Sequence, residues 1–479
     1  MAISRVAVPY EFTPAYNKVY FLMDSNNALL DGFKYVYDVY ESGTANKIAE
    51  YKVYPRFQDN YGEIDLSKLL STKVTFDFDP ALTSSANPSN SFYKYDVQYG
   101  EEYIVSYNYT TSLSSGTSIT GGLSTRITIG THTFIVGDQV VIDQADNGAA
   151  NPQLQGLHTV TFVGATYIDV NVLYSLITDP TIDGNVKYAD NRKTIFRNLL
   201  SDNNLYVFNG AVSFKEFRVY DEMNYLLNSP SDAFLTTQPV NNFYCTREQD
   251  IWVNIANDFQ VADYIYFENS ASSIFRKPIT NNNIMTQVAV GPGNYGTLTF
   301  ISGSSITLTD PGVTWYRYYF GDSTGIIKSQ RYRIDLDERC NIEQYEVVFM
   351  DRLGSLSSFA FQLRAYERGT TKRDTYNKFL DGYISARKFR YDTEAAGGMV
   401  INPTVERTIE LNTNWITEEM SVYFEELVTS PVTYLKDLDN NYYKIFITDT
   451  AFEINRSRNK NLFKKTITIK YANENIING

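Results

Sequence analysis

Histidine is the usual base, nucleophile partner and metal ligand near neutral pH, and this chain holds two, His132 and His158. Their settings are similar, Thr131-His132-Thr133 and His158-Thr159, inside runs that read as strands. Pairing of those strands would bring two imidazoles together, but a metal also needs carboxylates or sulfurs nearby. The two cysteines, Cys245 and Cys340, lie far apart in the chain and form neither a disulfide framework nor a zinc spacing. They read as buried thiols from a reducing cytoplasm. The expectation is strand-face histidines, with no metal and no cofactor.

Two motifs have the letters of a ligand site without its context. Gly291-Pro-Gly293-Asn-Tyr-Gly296 spells G-x-G-x-x-G, yet a dinucleotide site needs a helix directly afterwards to face the pyrophosphate. Thr297-Leu-Thr-Phe-Ile301 reads as a strand instead, so a hairpin turn is expected. Asp437-Leu-Asp-Asn-Asn-Tyr442 alternates oxygen side chains as a calcium loop does, but lacks the central glycine and the distal glutamate. It too is expected to be a turn. With 55 acids a glycosidase pair could be hidden, but such a pair is defined by separation in space. No nucleophile elbow and no phosphate loop occurs, and the expectation is a protein that is not an enzyme.

The marked concentration of positive charge is Arg456, Arg458 and Lys460, followed by Lys464, Lys465 and Lys470. Strand alternation would set Lys464, Thr466, Thr468 and Lys470 on one face, opposite Lys465, Ile467, Ile469 and Tyr471. Two readings compete. In one, a solvated hairpin uses its lysines to protect a sheet edge. In the other, these residues with Phe463 and Tyr471 are a subunit-docking element, the aromatics supplying buried contact and the cations orientation.

The elements that would position these residues are mostly strands. Large residues recur at every second position in Phe33-Lys-Tyr-Val-Tyr-Asp-Val-Tyr40 and in Tyr93-Lys-Tyr-Asp-Val-Gln-Tyr99. Turn clusters such as Asp24-Ser-Asn-Asn27 separate the runs. The 39 Tyr and 29 Phe suit half-buried sheets and wide contact surfaces. A short helical turn is expected at Ile64–Leu70, and a helix with Asp190 as N-cap over Asp190–Leu200. An amphipathic helix is expected near 416–429, where Ile416, Met420, Tyr423, Phe424, Leu427 and Val428 share a face before Pro431. The closing runs Tyr442–Thr448 and Phe463–Tyr471 read as a hairpin.

A chain of 479 residues exceeds one hydrophobic core. Composition turns from aromatic to Ser/Thr/Gly at Thr111 and back near Tyr188. The expectation is a mostly β, multi-domain sandwich or barrel architecture: an N-terminal domain over 1–110, an inserted β module over 111–188, a central domain over 189–330 and a C-terminal domain over 331–479. The net charge of −13 argues against a surface that clasps phosphates, so sequence-specific nucleic-acid binding is not expected. Neither a signal peptide nor a membrane span is expected from the apolar runs, and the protein is expected to be made in the cytoplasm.

Several stretches resemble the tail, collar and ring proteins of tailed bacteriophages infecting Bacteroidetes, including the crAss-like group. They are Tyr61-Gly-Glu-Ile-Asp-Leu-Ser-Lys-Leu-Leu70, Tyr99-Gly-Glu-Glu-Tyr103 and Val347-Val-Phe-Met-Asp-Arg-Leu-Gly-Ser-Leu-Ser-Ser-Phe359. The closing Thr448-Asp-Thr-Ala-Phe-Glu-Ile-Asn-Arg456 and Phe463-Lys-Lys-Thr-Ile-Thr-Ile-Lys-Tyr-Ala-Asn-Glu474 belong with them. The resemblance implies a virion subunit that packs with copies of itself in a ring and with other tail or portal-proximal proteins, as part of the DNA-ejection machinery. A receptor- or glycan-binding tail protein, with a carboxylate pair that hydrolyses sugars, is the alternative.

Overall fold

The computed structural model describes residues 3–105, 110–143, 151–189, 192–257, 263–271, 273–279, 284–295, 298–299, 305–306, 308, 312–339, 344–377, 382–391, 398–437, 439–449, 462–472 and 476–477. The chain is mostly β with a few short helices. It divides into two compact units, each assembled from separated stretches. The first holds Met1–Val8, Tyr20–Ile64 and Tyr95–Asn204; the second holds Pro9–Val19, Asp65–Lys94 and Leu205–Gly479.

In the first unit, Lys34–Glu41 pairs antiparallel with Lys47–Val53 on one side and Phe92–Val105 on the other. Its core uses tyrosine in place of phenylalanine: Tyr35, Tyr37, Tyr95 and Tyr99 are fully buried. A buried phenol gains when its hydroxyl finds a partner, which three of the four do; among the described residues the Tyr95 hydroxyl has none. Tyr35 and Tyr37 donate to the Asn60 and Gly62 carbonyls, both at 2.8 Å. Tyr99 donates to Asp202.

The strand beside Phe92–Val105 is Arg192–Phe208, which corrects the helix expected over Asp190–Leu200. Asp190 itself lies outside the described residues. The apolar spacing fitted a helix, but Phe196 stacks on Tyr103 at 5.2 Å and sheet pairing overrides the weak local propensity. Asn198 and Asn204 also adopt positive φ, 51° and 61°, which no helix tolerates.

Six strands form a ring of pairings within the first unit: Thr125–Thr128, Tyr167–Val170, Gly156–Val163, Gln139–Asp143, Thr181–Tyr188, Thr110–Gly121, and back to Thr125–Thr128. A ring leaves no sheet edge to protect. Its core draws on this stretch alone, from Ile119 through Ile142 and Val160 to Tyr188. The barrel therefore occupies nearly the same residues as the inserted module read from composition.

In the second unit, one sheet orders Phe243–Cys245, Tyr332–Leu336, Trp315–Asp322, Asp263–Asn269 and Ile274–Pro278. A larger sheet runs Leu356–Phe361, Tyr345–Met350, Thr433–Lys436, Tyr442–Ile447, Thr466–Tyr471, Gly398–Asn412 and Tyr366–Asn377, with Ile476–Ile477 also on Gly398–Asn412. One apolar core joins the two, so residues on either side of 330 share it. The helix Glu418–Thr429 lies against this core through Met420, Tyr423, Phe424 and Leu427. Its N-cap is Thr417, whose side chain accepts the Met420 N–H at 3.3 Å. The expected short turn is also present, as Ser67–Leu70, with Asp65 accepting the Ser67 N–H at 3.0 Å.

Candidate functional site

Of the eight residues read as a docking element, Arg456, Arg458 and Lys460 lie outside the described residues. Alternation holds for the rest of the strand: Ile467 and Ile469 are buried, and Thr466 is exposed. Phe463, expected to anchor a neighbour, is buried in its own core and pairs with Ile416 through reciprocal backbone hydrogen bonds of 2.8 and 2.9 Å. Tyr471 is half-buried against Tyr443. Lys464 sits over the Trp415 ring at 4.8 Å, and the Lys465 N–H donates to the Thr413 hydroxyl at 2.9 Å. Lys470 pairs with Glu406 at 3.4 Å.

The edge-protecting rival needs correction. Thr466–Tyr471 is flanked by Tyr442–Ile447 on one side and Gly398–Asn412 on the other, so it is an interior strand. The edge belongs to Tyr366–Asn377, in a region where the sequence reading assigned no element.

That edge strand and Gly398–Asn412 form a long antiparallel arm, registered from Tyr366↔Glu410 to Asn377↔Gly398. Every residue from Tyr366 to Asn377 is exposed, on both faces. At the root, Ile409 and Leu411 enter the core; further out, Met399, Val400 and Ile401 are exposed. Cross-strand ion pairs line the arm: Arg368–Glu410 at 2.9 Å, Arg407–Glu367 at 3.0 Å and Lys372–Glu406 at 3.2 Å. Exposed pairs of this kind are screened by solvent and contribute too little to substitute for a buried face. At roughly 3.3 Å per residue, a strand of this length spans about 40 Å.

Between the two arm strands in sequence lies a small ribbon, Gly382–Ser385 paired with Lys388–Tyr391. Its turn residues Ala386 and Arg387 have φ of 53° and 63°, the left-handed conformation that a Cβ disfavours. Tyr383, Ile384 and Phe389 are exposed, Ile384 by 78%. The ribbon carries three cations, Arg387, Lys388 and Arg390, and no acid.

The two rejected motifs meet at one place in the second unit. The Gly291–Asn294 turn and the Asp437–Asn440 turn line a cleft of about 430 Å³ with Arg247, Gln344, Glu346 and Lys436. Among the described residues just after the glycines, Leu298–Thr299 is a strand. The glycines are needed for close approach: a Cβ at Gly293 would collide with the Glu248 carbonyl, and one at Gly291 with the Ile251 amide. Asp437 accepts the Asp439 and Asn441 N–H groups at 2.9 and 2.8 Å, which uses a carboxylate oxygen to close the turn.

At the cleft wall, buried Lys436 places Nζ 2.5 Å from Asp250 Oδ2, 3.3 Å from Glu346 Oε2 and 2.9 Å from the Glu248 carbonyl. The Tyr442 hydroxyl donates to the same Asp250 oxygen at 2.5 Å, and the Asp250 N–H donates to Glu346 at 2.8 Å. Burial pushes the Glu346 carboxyl above the ordinary carboxylate range, against the pull of Lys436. Burial lowers the ammonium, but Glu346 and Asp250 outweigh it and hold Lys436 above its usual value. The two carboxylates thus share a fixed cation. Lys436 lies 186 residues from Asp250, so no local pattern announces the cluster.

The histidines do not meet. His158 is buried and bonds the Leu154 carbonyl at 2.9 Å from its strand, while His132 lies in a loop and bonds the Tyr167 carbonyl at 3.2 Å. Burial lowers the His158 pKa. Cys245 is buried in the second unit's core; Cys340 lies outside the described residues. Among the described residues no group of three or more His, Cys, Asp or Glu is placed to hold a metal. No described helix is long and apolar enough to cross a membrane. No protein-family model and no curated protein sequence matches the chain.

Proposed function

We propose that the protein is a structural subunit of a tailed bacteriophage particle, one of several copies closed into a ring of the tail or collar. The observation that carries this reading is the arm. Beyond Thr404, where Ile476–Ile477 also pairs with Gly398–Asn412, the arm is a two-stranded ribbon, marginal by itself in water, and a strand exposed on both faces gains nothing from its own core. Its outer edge also offers unpaired backbone groups to another chain. Such an arm gains stability by lying against a neighbouring subunit. Head-to-tail contacts of one kind close into a ring when the rotation permits, so a single copied interface suffices. The acidic balance keeps free subunits soluble, and an acidic lumen would repel passing DNA. The phage and ring assignments rest on the sequence resemblance.

The test is imaging of assembled particles together with an arm-shortened chain, in which a tight turn replaces residues 370–405. The shortened chain should keep its fold by circular dichroism and lose association. A shortened chain that associates like the full one refutes the role of the arm.

A further inference from the structure

The arm's tip has its own chemistry. Arg387, Lys388 and Arg390 stand beside exposed Tyr383, Ile384 and Phe389, in a chain whose net charge is −13. The register sets Tyr383 with Lys388 and Arg390 on one face of the ribbon and Ile384 with Phe389 on the other, and a face that joins an aromatic ring to cations suits an acidic protein surface that itself exposes apolar atoms.

The second unit presents one such surface. The helix Glu418–Thr429 carries Glu418, Glu419 and Glu425 away from its buried face and contains no Lys or Arg. Val422 is 42% exposed among them; Trp415, just before the helix, has Lys464 over its ring at 4.8 Å and lies outside this surface. Glu425 stands in the last turn, where the helix dipole is already negative and a cation is favoured. Neighbouring Glu426 has its own cation, with Arg352 Nε at 2.9 Å. Among the described residues Glu418, Glu419 and Glu425 have no ion-pair partner, and Glu419 accepts from the Asn242 amide at 3.4 Å.

We infer that the tip ribbon of one copy docks on the outward face of the 418–429 helix of the next copy. The face that carries Tyr383, Lys388 and Arg390 makes the contact, Tyr383 against Val422 and the tip cations against Glu418, Glu419 and Glu425. This rests on the assembly reading and gives it a direction, because a tip and a helix are different surfaces and the contact is head-to-tail. The left-handed turn at Ala386-Arg387 is the two-residue loop that closes the ribbon and sets its register.

A charge swap in the full chain tests it by sedimentation velocity. Arg387→Glu, Lys388→Glu and Arg390→Glu together should weaken association at least about tenfold, as loss of complementary interface charge does. Glu418→Lys, Glu419→Lys and Glu425→Lys should do the same, and mixing the two reversed chains should restore it. Salt should weaken the unmodified contact. If either reversed chain associates like the unmodified one, or if the mixture fails to recover, the docking assignment is overturned and the assembly reading stands. An unmodified chain that remains monomeric at every attainable concentration overturns both.

Discussion

Replacing Lys436 with methionine keeps the length of the side chain and removes the charge shared by Asp250 and Glu346. The effect can be worked from the cluster. Lys436, Asp250 and Glu346 are 8%, 6% and 2% exposed, so water cannot take over the lost contacts. Asp250 would retain the Tyr442 hydroxyl, and Glu346 the Asp250 N–H. Two neighbouring buried carboxylates would then face each other without a cation, a change that costs about 3–5 kcal/mol. The least costly escape is for Glu346 to take up a proton, since burial already favours its neutral form. That makes the loss depend on pH. A carboxyl whose folded pKa lies above its unfolded value stabilises the fold fully below the unfolded pKa, and the stabilisation is lost as pH rises through the folded pKa. Without Lys436 the Glu346 pKa moves higher still. Because the Glu346 carboxyl is pushed up to about 8 even beside Lys436, the penalty of K436M should be smallest near pH 5 and grow as the pH rises through and beyond 8. All three tryptophans, Trp252, Trp315 and Trp415, lie in the second unit, so urea unfolding followed by tryptophan fluorescence reports the unit that holds the cluster. Adding Glu346→Gln should recover much of the loss at about pH 9.5, because it removes the group that must ionise without a partner. A K436M penalty below about 1 kcal/mol at about pH 9.5, or one that does not grow between pH 5 and about pH 9.5, would refute a buried, charge-balanced cluster.

Three further outcomes follow from local geometry. Asp351 is buried and accepts from the Thr236 hydroxyl and the Thr237, Leu353 and Ser355 N–H groups at 2.8 to 3.0 Å; burial pushes its pKa up to about 6 against those bonds. Asp351→Asn would turn an amide NH2 toward donors and should lower second-unit stability by about 2–3 kcal/mol in the same urea assay. Ala386→Asn places a residue that tolerates positive φ in the tip turn and should slow tip proteolysis, with a gain of about 1 kcal/mol; unchanged or faster cleavage would contradict that turn. Replacing residues 111–188 by a short Gly/Ser linker should leave a cooperative melt by circular dichroism, because the barrel's core is internal to that stretch. Loss of the cooperative transition would show a core shared with the flanking sheet.

How far a reading from sequence reaches depends on the range over which each feature is decided. Residue alternation at 33–40 and 93–99 is local, and it specified strands with their tyrosines inward. The helix over 418–429 was legible for the same reason: its apolar spacing, its capping threonine and Pro431 all lie within one short stretch. The barrel's limits were legible because a self-contained core changes composition at its borders. The 192–208 strand was not, since an apolar pattern that fits a helix became a strand only through pairing with a partner about 100 residues away. Asp250, Glu346 and Lys436 are unremarkable in sequence; their proximity comes from the packing of separate strands. Phe463 looked available for a neighbour because hydrophobicity does not say which core a side chain enters, and only the bridge to Ile416 assigns it to its own. The arm left a faint trace, polar residues at both parities from Glu367 to Thr375, which rules out a covered face on either side. Whether such a stretch is a loop or a ribbon standing out from the sheet is set by its register with 398–412, and that belongs to the tertiary structure alone.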